Sequence, residues 1–231
     1  MLTAAKTAIL KFLGKFGYEL VLHYDLPPLT STTDILEAVV FNYLRKKGSD
    51  QFAFIQVGAN DGITVDPIRP FLRETWRGVL IEPNPSVFNL LEKNCSAFPL
   101  LKLENVAITE TEGEMDLFVP NESVDASLRT DVVTPKLGVL PGREAVKVRC
   151  ITLAALLQKH RITDLDLFLV DAEGYDYKIM MQLLGTSLRP PILQFEHGAM
   201  TRQEFSTLLN LLVSQHYRVN IVNHDTICVK F

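Results

Sequence analysis

The sequence predicts an α/β fold around a mostly parallel sheet of seven strands that closes in an antiparallel pair, and three observations carry that reading. Runs such as "GVLIE" (78–82) and "DLFLV" (166–170) are apolar at nearly every position, as strands are when helices cover both faces of a sheet. Segments with helical spacing separate these runs, which is the alternation of a parallel sheet with crossover helices. The stretch "YRVNIVNHDTICVKF" (217–231) sets two strands about a short Asn-His-Asp turn, so the last pair must be antiparallel.

Residues 1–50 read as an N-terminal helical extension and 51–231 as the main domain. In the extension Leu2, Ala5, Ile9, Phe12, Leu13, Phe16 and Leu20 fall on one side of a helix, with Lys11 and Lys15 opposite. Its apolar runs are only three or four residues long, too short for a signal-peptide core or a membrane span. The helix is therefore expected to dock on the core or on a second copy in a homo-oligomer, and membrane association is not expected. "DLPPLTSTTD" (25–34) is a connector, after which Thr33 or Asp34 caps a helix to about Lys47.

Within the main domain the strands fall at 53–57, 78–81, 101–106, 167–170, 192–196, 217–222 and 226–230, and the helices at 67–74, 85–95, 153–160, 175–184 and 201–215. "GEMDLFV" (113–119) and "EAVKVRC" (144–150) form an inserted β pair joined by a polar loop, 120–143, which is longer than ordinary connections. It is either a lid over a site or a surface excursion.

The net charge of −4 and the single run of three cations, Arg45 to Lys47, exclude a broad basic field and with it double-stranded nucleic acid as a partner. Cys95, Cys150 and Cys228 are odd in number and widely spaced, without a CxxC pair or a Cys-His cluster. Neither a disulfide framework nor a zinc site is indicated, and a reducing cytoplasm is the expected compartment.

In parallel α/β sheets ligands sit beyond the carboxyl ends of the strands, so the residues after each strand are read together. The first strand delivers Gly58, Ala59, Asn60, Asp61 and Gly62, a turn resembling the glycine-rich strand-to-helix turn of nucleotide-binding folds with its third glycine missing. The second ends in Glu82, followed by Pro83 and Asn84. The third leads to Asn105, Val106 and Ala107. The fourth gives Asp171, Glu173 and Asp176, and the fifth Glu196 and His197. Glu82 lies 24 residues past Gly58 at the end of the neighbouring strand, where a carboxylate accepts both ribose hydroxyls of a nucleoside and repels a 2′-phosphate.

"FIQVGANDG", "GVLIEPNP", "NVAI" and "LDLFLVDAEGYDYKIM", in that order over about residues 52–222, resemble the FkbM family of S-adenosylmethionine-dependent methyltransferases. The resemblance implies the class I, Rossmann-like methyltransferase fold, which is known for its terminal antiparallel strand pair. It also implies that Gly58 to Gly62 approach the methionine moiety, Glu82 grips the ribose, Asn105 to Ala107 contact the adenine, and Asp171 lies near the sulfonium and the acceptor. The best-known members methylate hydroxyl groups of sugars or natural products, so a small-molecule or glycan hydroxyl is the expected acceptor. Many relatives carry a Lys ahead of the Asp-x-Glu-Gly motif, and here the approach is "LDLFLVD".

Methyl transfer from a sulfonium is an in-line displacement that needs alignment and a group to take the acceptor's proton. Asp171 and His197 are the candidate bases. Glu173 is either a third catalytic group or a structural one that holds Tyr175 or caps the following helix. No metal is favoured, although Asp171, Glu196 and His197 are of the right types to hold magnesium or manganese. Two competing functions remain: an NAD-dependent oxidoreductase, which fits Gly58 and Glu82 but not the terminal hairpin, and a non-catalytic cofactor-binding scaffold.

Overall fold

The computed structural model describes residues 32–119 and 144–231. The amphipathic helix expected over 2–20, most of the connector and the loop 120–143 lie outside the described residues. Helix α1 (Thr32–Lys47) comes first, and strands β1 (Ala53–Val57), β2 (Arg77–Ile81) and β3 (Leu101–Glu104) follow, with α2 (Pro85–Cys95) between the last two. Strands β4 (Ala107–Ile108), β5 (Gly113–Val119) and β6 (Glu144–Ile151) precede α3 (Leu153–Lys159). The chain then runs β7 (Leu167–Val170), α4 (Asp176–Gly185), β8 (Ile192–Glu196), α5 (Arg202–Ser214), β9 (Arg218–Val222) and β10 (Asp225–Val229).

Seven strands form one sheet in the order β3-β2-β1-β7-β8-β10-β9. The first five are mutually parallel, and β10 runs antiparallel to both β8 and β9, so the last strand of the chain inserts between its two neighbours. The expected sheet, with its terminal hairpin, is therefore present. Strand alternation divides the core in two. Ile55, Val57, Val79, Ile81, Phe168 and Phe195 face a layer built by α3, α4 and α5, whereas Phe54, Leu80, Leu167, Leu169 and Ile227 face α1, α2 and the buried Trp76.

Helix α1 contributes Leu36, Val40 and Leu44, a four-residue spacing that keeps all three buried on one stripe. It is tied down by Asp166, which is buried just ahead of β7 and accepts hydrogen bonds from Tyr43 Oη (2.7 Å), Lys47 Nζ (2.7 Å) and the Ala53 N–H (2.8 Å). Helix α5 begins with a capping box, Thr201 and Glu204 each bonding the other's backbone N–H.

Two expectations are corrected. The helix expected over 67–74 is a single 3₁₀ turn, Arg69–Phe71. Pro67 and Pro70 lack N–H donors, and Asp66 takes the N–H groups of Ile68 and Arg69, so no α-helical ladder can start. The strand expected over 101–106 stops at Glu104, because Asn105 turns aside to donate to the carbonyls of Glu82 (2.8 Å) and Pro83 (3.0 Å). The next residues become β4, which pairs parallel with β6, so the expected inserted pair is a three-stranded sheet, β4-β6-β5.

Candidate active site

The ends of β1 and β7 meet at Gly58. Its φ is +80°, and a Cβ placed there would lie 1.7 Å from the carbonyl oxygen of Asp171, so only glycine fits. The N–H groups of Gly58 and Ala59 both reach the Ile81 carbonyl at 2.9 Å, which folds the turn toward β2. Asn60 follows in the left-handed region at φ 49°, a conformation asparagine tolerates.

Glu82 joins the two neighbouring loops. One carboxylate oxygen accepts the Asn84 N–H at 2.8 Å, and the other accepts the Asn60 N–H at 3.1 Å. Burial pushes its pKa up, to about 7, against the opposing pull of those two donors. Each oxygen keeps lone-pair capacity for one further donor. Asn84 also caps α2, accepting the Ser86 N–H at 3.1 Å.

Gly62 has a different reason to be glycine. Its added Cβ would lie 2.7 Å from Leu91 Cδ1, so it lets the turn pack on α2. Asp61 folds the same loop by accepting the N–H groups of Ile63 and Thr64 and the Thr64 hydroxyl. Burial raises the Asp61 pKa, but these hydrogen bonds outweigh it and leave the carboxyl below its usual range.

After β7 the chain takes two successive left-handed residues, Glu173 (φ 47°) and Gly174 (φ 99°). Asp176, buried, holds this turn by accepting the N–H groups of Ala172 (3.1 Å) and Gly174 (3.0 Å). The Tyr175 hydroxyl donates to Glu110 at 2.7 Å, and Lys178 pairs with the other oxygen of that carboxylate at 2.8 Å. The partner of that hydroxyl is thus Glu110 and not Glu173.

These loops enclose a cavity of about 290 Å³ beyond the carboxyl ends of the parallel strands. Of the residues singled out in the sequence, Gly58, Ala59, Asn60, Glu82, Pro83, Val106, Ala107, Asp171 and Glu173 line it. Asp61, Gly62, Asn84 and Asn105 shape its loops from behind, and Glu196 and His197 are not among its lining residues.

Asp171 opens onto the cavity with an exposed side chain. Its pKa is raised to about 8, first by the surrounding protein and then by the carboxylates of Asp176, Glu196, Glu173 and Asp225. The residue is exposed, so solvent screening confines the shift to its protonation, with little bearing on stability.

His197 lies beside β10, its Nδ1 3.0 Å from the Thr226 hydroxyl and its ring stacked on Phe205 at 4.6 Å. Burial lowers its pKa, Asp225 opposes that shift and His224 adds to it, so the ring is neutral at pH 7. Among the described residues no three His, Cys, Asp or Glu side chains are grouped to hold a metal ion, so Asp171, Glu196 and His197 do not form a coordination set.

Gln56, Thr64, Val65, Ile108, Leu117 and Ile179, none of them a candidate from the sequence, also line the cavity, as does Tyr175, expected only as a partner of Glu173. For Gln56 there was a signal, an amide inside the apolar strand "AFIQV". It is 1% exposed, its side chain bonds to Asp66, and its Oε1 has no partner among the described residues, which leaves an acceptor at the cavity wall.

Together these features fit S-adenosylmethionine. Gly58 permits close backbone approach, Glu82 retains acceptor capacity for ribose hydroxyls, Gln56 offers a carbonyl unpartnered among the described residues, and Val106, Ala107, Ile108, Leu117 and Ile179 supply apolar lining suited to a flat ring.

The sequence profile of the methyltransferase FkbM domain matches residues 56–219. No curated protein matches the chain. Among solved structures, the METTL16 MTase domain is similar at a TM-score of 0.51 and 12% identity over 95% of this chain and 76% of that one. The N-terminal domain of human METTL16 in complex with SAH gives a TM-score of 0.47 at 14% identity, covering 99% of this chain and 82% of that one. Precorrin-6y C5,15-methyltransferase from Geobacter metallireducens GS-15 gives 0.43 at 11% identity, covering 89% of this chain and 91% of that one. The first of these likenesses identifies the fold as the class I, Rossmann-like methyltransferase fold. With the domain profile spanning well over half of its length, the chain belongs to the FkbM family of methyltransferases.

Proposed function

We propose that this methyltransferase uses S-adenosylmethionine to methylate a hydroxyl oxygen on a sugar, glycan or natural product, with residues 51–231 as the catalytic domain. The observation that carries the reading is the sharing of one cavity by Glu82 and Asp171, a carboxylate suited to ribose and a carboxyl that can take a proton once it ionises. S-adenosylmethionine supplies, when bound, an electrophilic methyl group on a sulfonium centre. Gly58 to Asn60 would lie against its methionine part, Glu82 would accept from the ribose hydroxyls, and Val106 and Ala107 would border the adenine.

An aliphatic hydroxyl hardly ionises at neutral pH, so a nearby group must take its proton as the new bond forms. Asp171 is the preferred base because it lines the cavity, with the neutral ring of His197 as the second candidate and Glu173 as a cavity carboxylate able to orient the acceptor. The Glu110 clasp on Tyr175 keeps the wall beside Asp171 in place. Cytoplasmic location belongs to the same proposal, supported by three free and buried cysteines, and no helix among the described residues is long and apolar enough to cross a membrane. Assembly of copies through the N-terminal helix belongs to it as well.

The test is transfer of a labelled methyl group from S-adenosylmethionine to a panel of sugar and polyketide hydroxyls, with products identified by mass spectrometry. Formation of a methyl ether is expected. Label found only on nitrogen or carbon acceptors would overturn the O-methyl assignment.

A further inference from the structure

A second cavity, of about 310 Å³, lies at the opposite end of the sheet, where β1 and β2 begin. Arg77, Lys102 and Arg161 line it together with His160 and one carboxylate, Asp164. Because Arg77 and Val79 are two residues apart on β2 and Val79 pairs with Lys102 on β3, Arg77 and Lys102 project from the same face of the sheet. Arg161 arrives from the loop that follows α3. Among the described residues none of these three cations has a hydrogen bond or an ion pair from its side chain, whereas His160 is engaged with Glu104 at 2.7 Å. In a chain of net charge −4, three unpaired cations about one cavity are a local excess of positive charge.

The backbone adds an independent observation. Arg161, the residue after the His160 cap of α3, lies in the left-handed region at φ 53°, with its N–H on the Gln158 carbonyl and the Ile162 N–H on the Leu157 carbonyl. Glycine is the easy residue at such a helix end, and a long cationic side chain there is held at a steric cost. The remaining wall is apolar, with Phe54, Val79, Pro99, Leu100 and Leu165.

We propose that this cavity binds an organic phosphate monoester, its phosphoryl group between the two guanidinium groups and Lys102, and its carbon skeleton against the apolar wall. Arginine forks match phosphate oxygens bidentately, a dianion balances the excess charge, and the volume suits a small ligand.

Phenyl phosphate and inorganic phosphate, each titrated calorimetrically into the full-length protein at constant ionic strength, test it. Phenyl phosphate should bind saturably and several-fold more tightly than inorganic phosphate. Arg77→Gln and Lys102→Met should each weaken it about tenfold or more, while Lys93→Ala, on the exposed end of α2, should not. Arg161→Gly separates binding from folding, because it removes the cation and relieves the left-handed backbone. It should lower affinity while the melting temperature holds or rises. Absence of saturable heat, or equal weakening by Lys93→Ala, would overturn the site. Equal affinities for the two phosphates would overturn the apolar part of its recognition.

Discussion

The Cα of Gly58 faces the carbonyl oxygen of Asp171 so closely that any Cβ would overlap it, at 1.7 Å. The first glycine of the cofactor turn therefore also sets how closely β1 and β7 approach, and it fixes where the Asp171 backbone sits. Gly58→Ala should cost roughly 3 kcal/mol or more, combining a backbone clash with a left-handed φ, and cofactor binding should fall with it. Gly185→Ala is the matched control. It sits at the end of α4 with nothing among the described residues within 4 Å of an added Cβ, and should be neutral or stabilise by up to about 1 kcal/mol. Urea denaturation of both variants checks the contrast.

Glu82 links fold stability to pH. Its folded pKa, about 7, lies above the unfolded carboxylate value of 4.5, so its contribution is present in full at low pH and is lost as pH rises from about 4.5 to 7. At most this is roughly 3 kcal/mol, and it should appear as a decline in cofactor-free stability over that window. Glu82→Gln should flatten the decline, since the amide does not titrate. The same substitution should weaken S-adenosylmethionine about ten- to hundredfold by removing charge-assisted acceptors. Denaturation at several pH values and calorimetry read the two effects separately.

Much of the architecture was legible because the strands are long apolar runs, and "GVLIE" and "DLFLV" have no other comfortable place than a covered sheet. The terminal hairpin was legible from the short Asn-His-Asp turn in "YRVNIVNHDTICVKF", although Asp225 proves to belong to the last strand. Strand β4 was not, since two residues carry no periodicity and their pairing depends on Asn105 pulling the chain away from β3. In the site, Gly58 and Glu82 were readable from strand ends. Gly62 was readable as a glycine but not in its purpose, because Leu91 comes within reach only once α2 has packed. Val65, 93% exposed at the cavity with φ 55°, had no signal at all, for a β-branched residue in a left-handed turn contradicts its own propensity.

Asp166 is the pin between α1 and the sheet. Asp166→Ala would leave the Ala53 N–H and the Tyr43 hydroxyl without their acceptor, while Lys47, partly exposed, turns to water. A loss of about 2–4 kcal/mol is expected. Hydrogen exchange should show α1 opening before the central strands, and uniform exchange throughout would mean the helix is held by its apolar stripe alone.

The protonation of Asp171 governs the pH dependence of turnover. Held up to about 8, its carboxyl is mostly protonated at pH 7 and cannot accept a proton in that form, so the rate should rise with pH until it ionises. A cationic sulfonium beside it favours the ionised form, which places the inflection at or below 8 with cofactor bound. His197 behaves differently: its pKa is lowered, so it is already neutral at pH 7 and would give an inflection below the ordinary imidazole value near 6.5. Asp171→Asn should keep S-adenosylmethionine affinity within a few-fold, lower the turnover number by roughly a hundredfold and abolish the upper inflection. His197→Ala should leave that inflection in place, because its ring does not line the cavity and bonds instead to Thr226. If the alanine variant loses the inflection and the asparagine variant retains full turnover on a verified acceptor, the proton leaves through the imidazole and Asp171 serves only to shape the cavity.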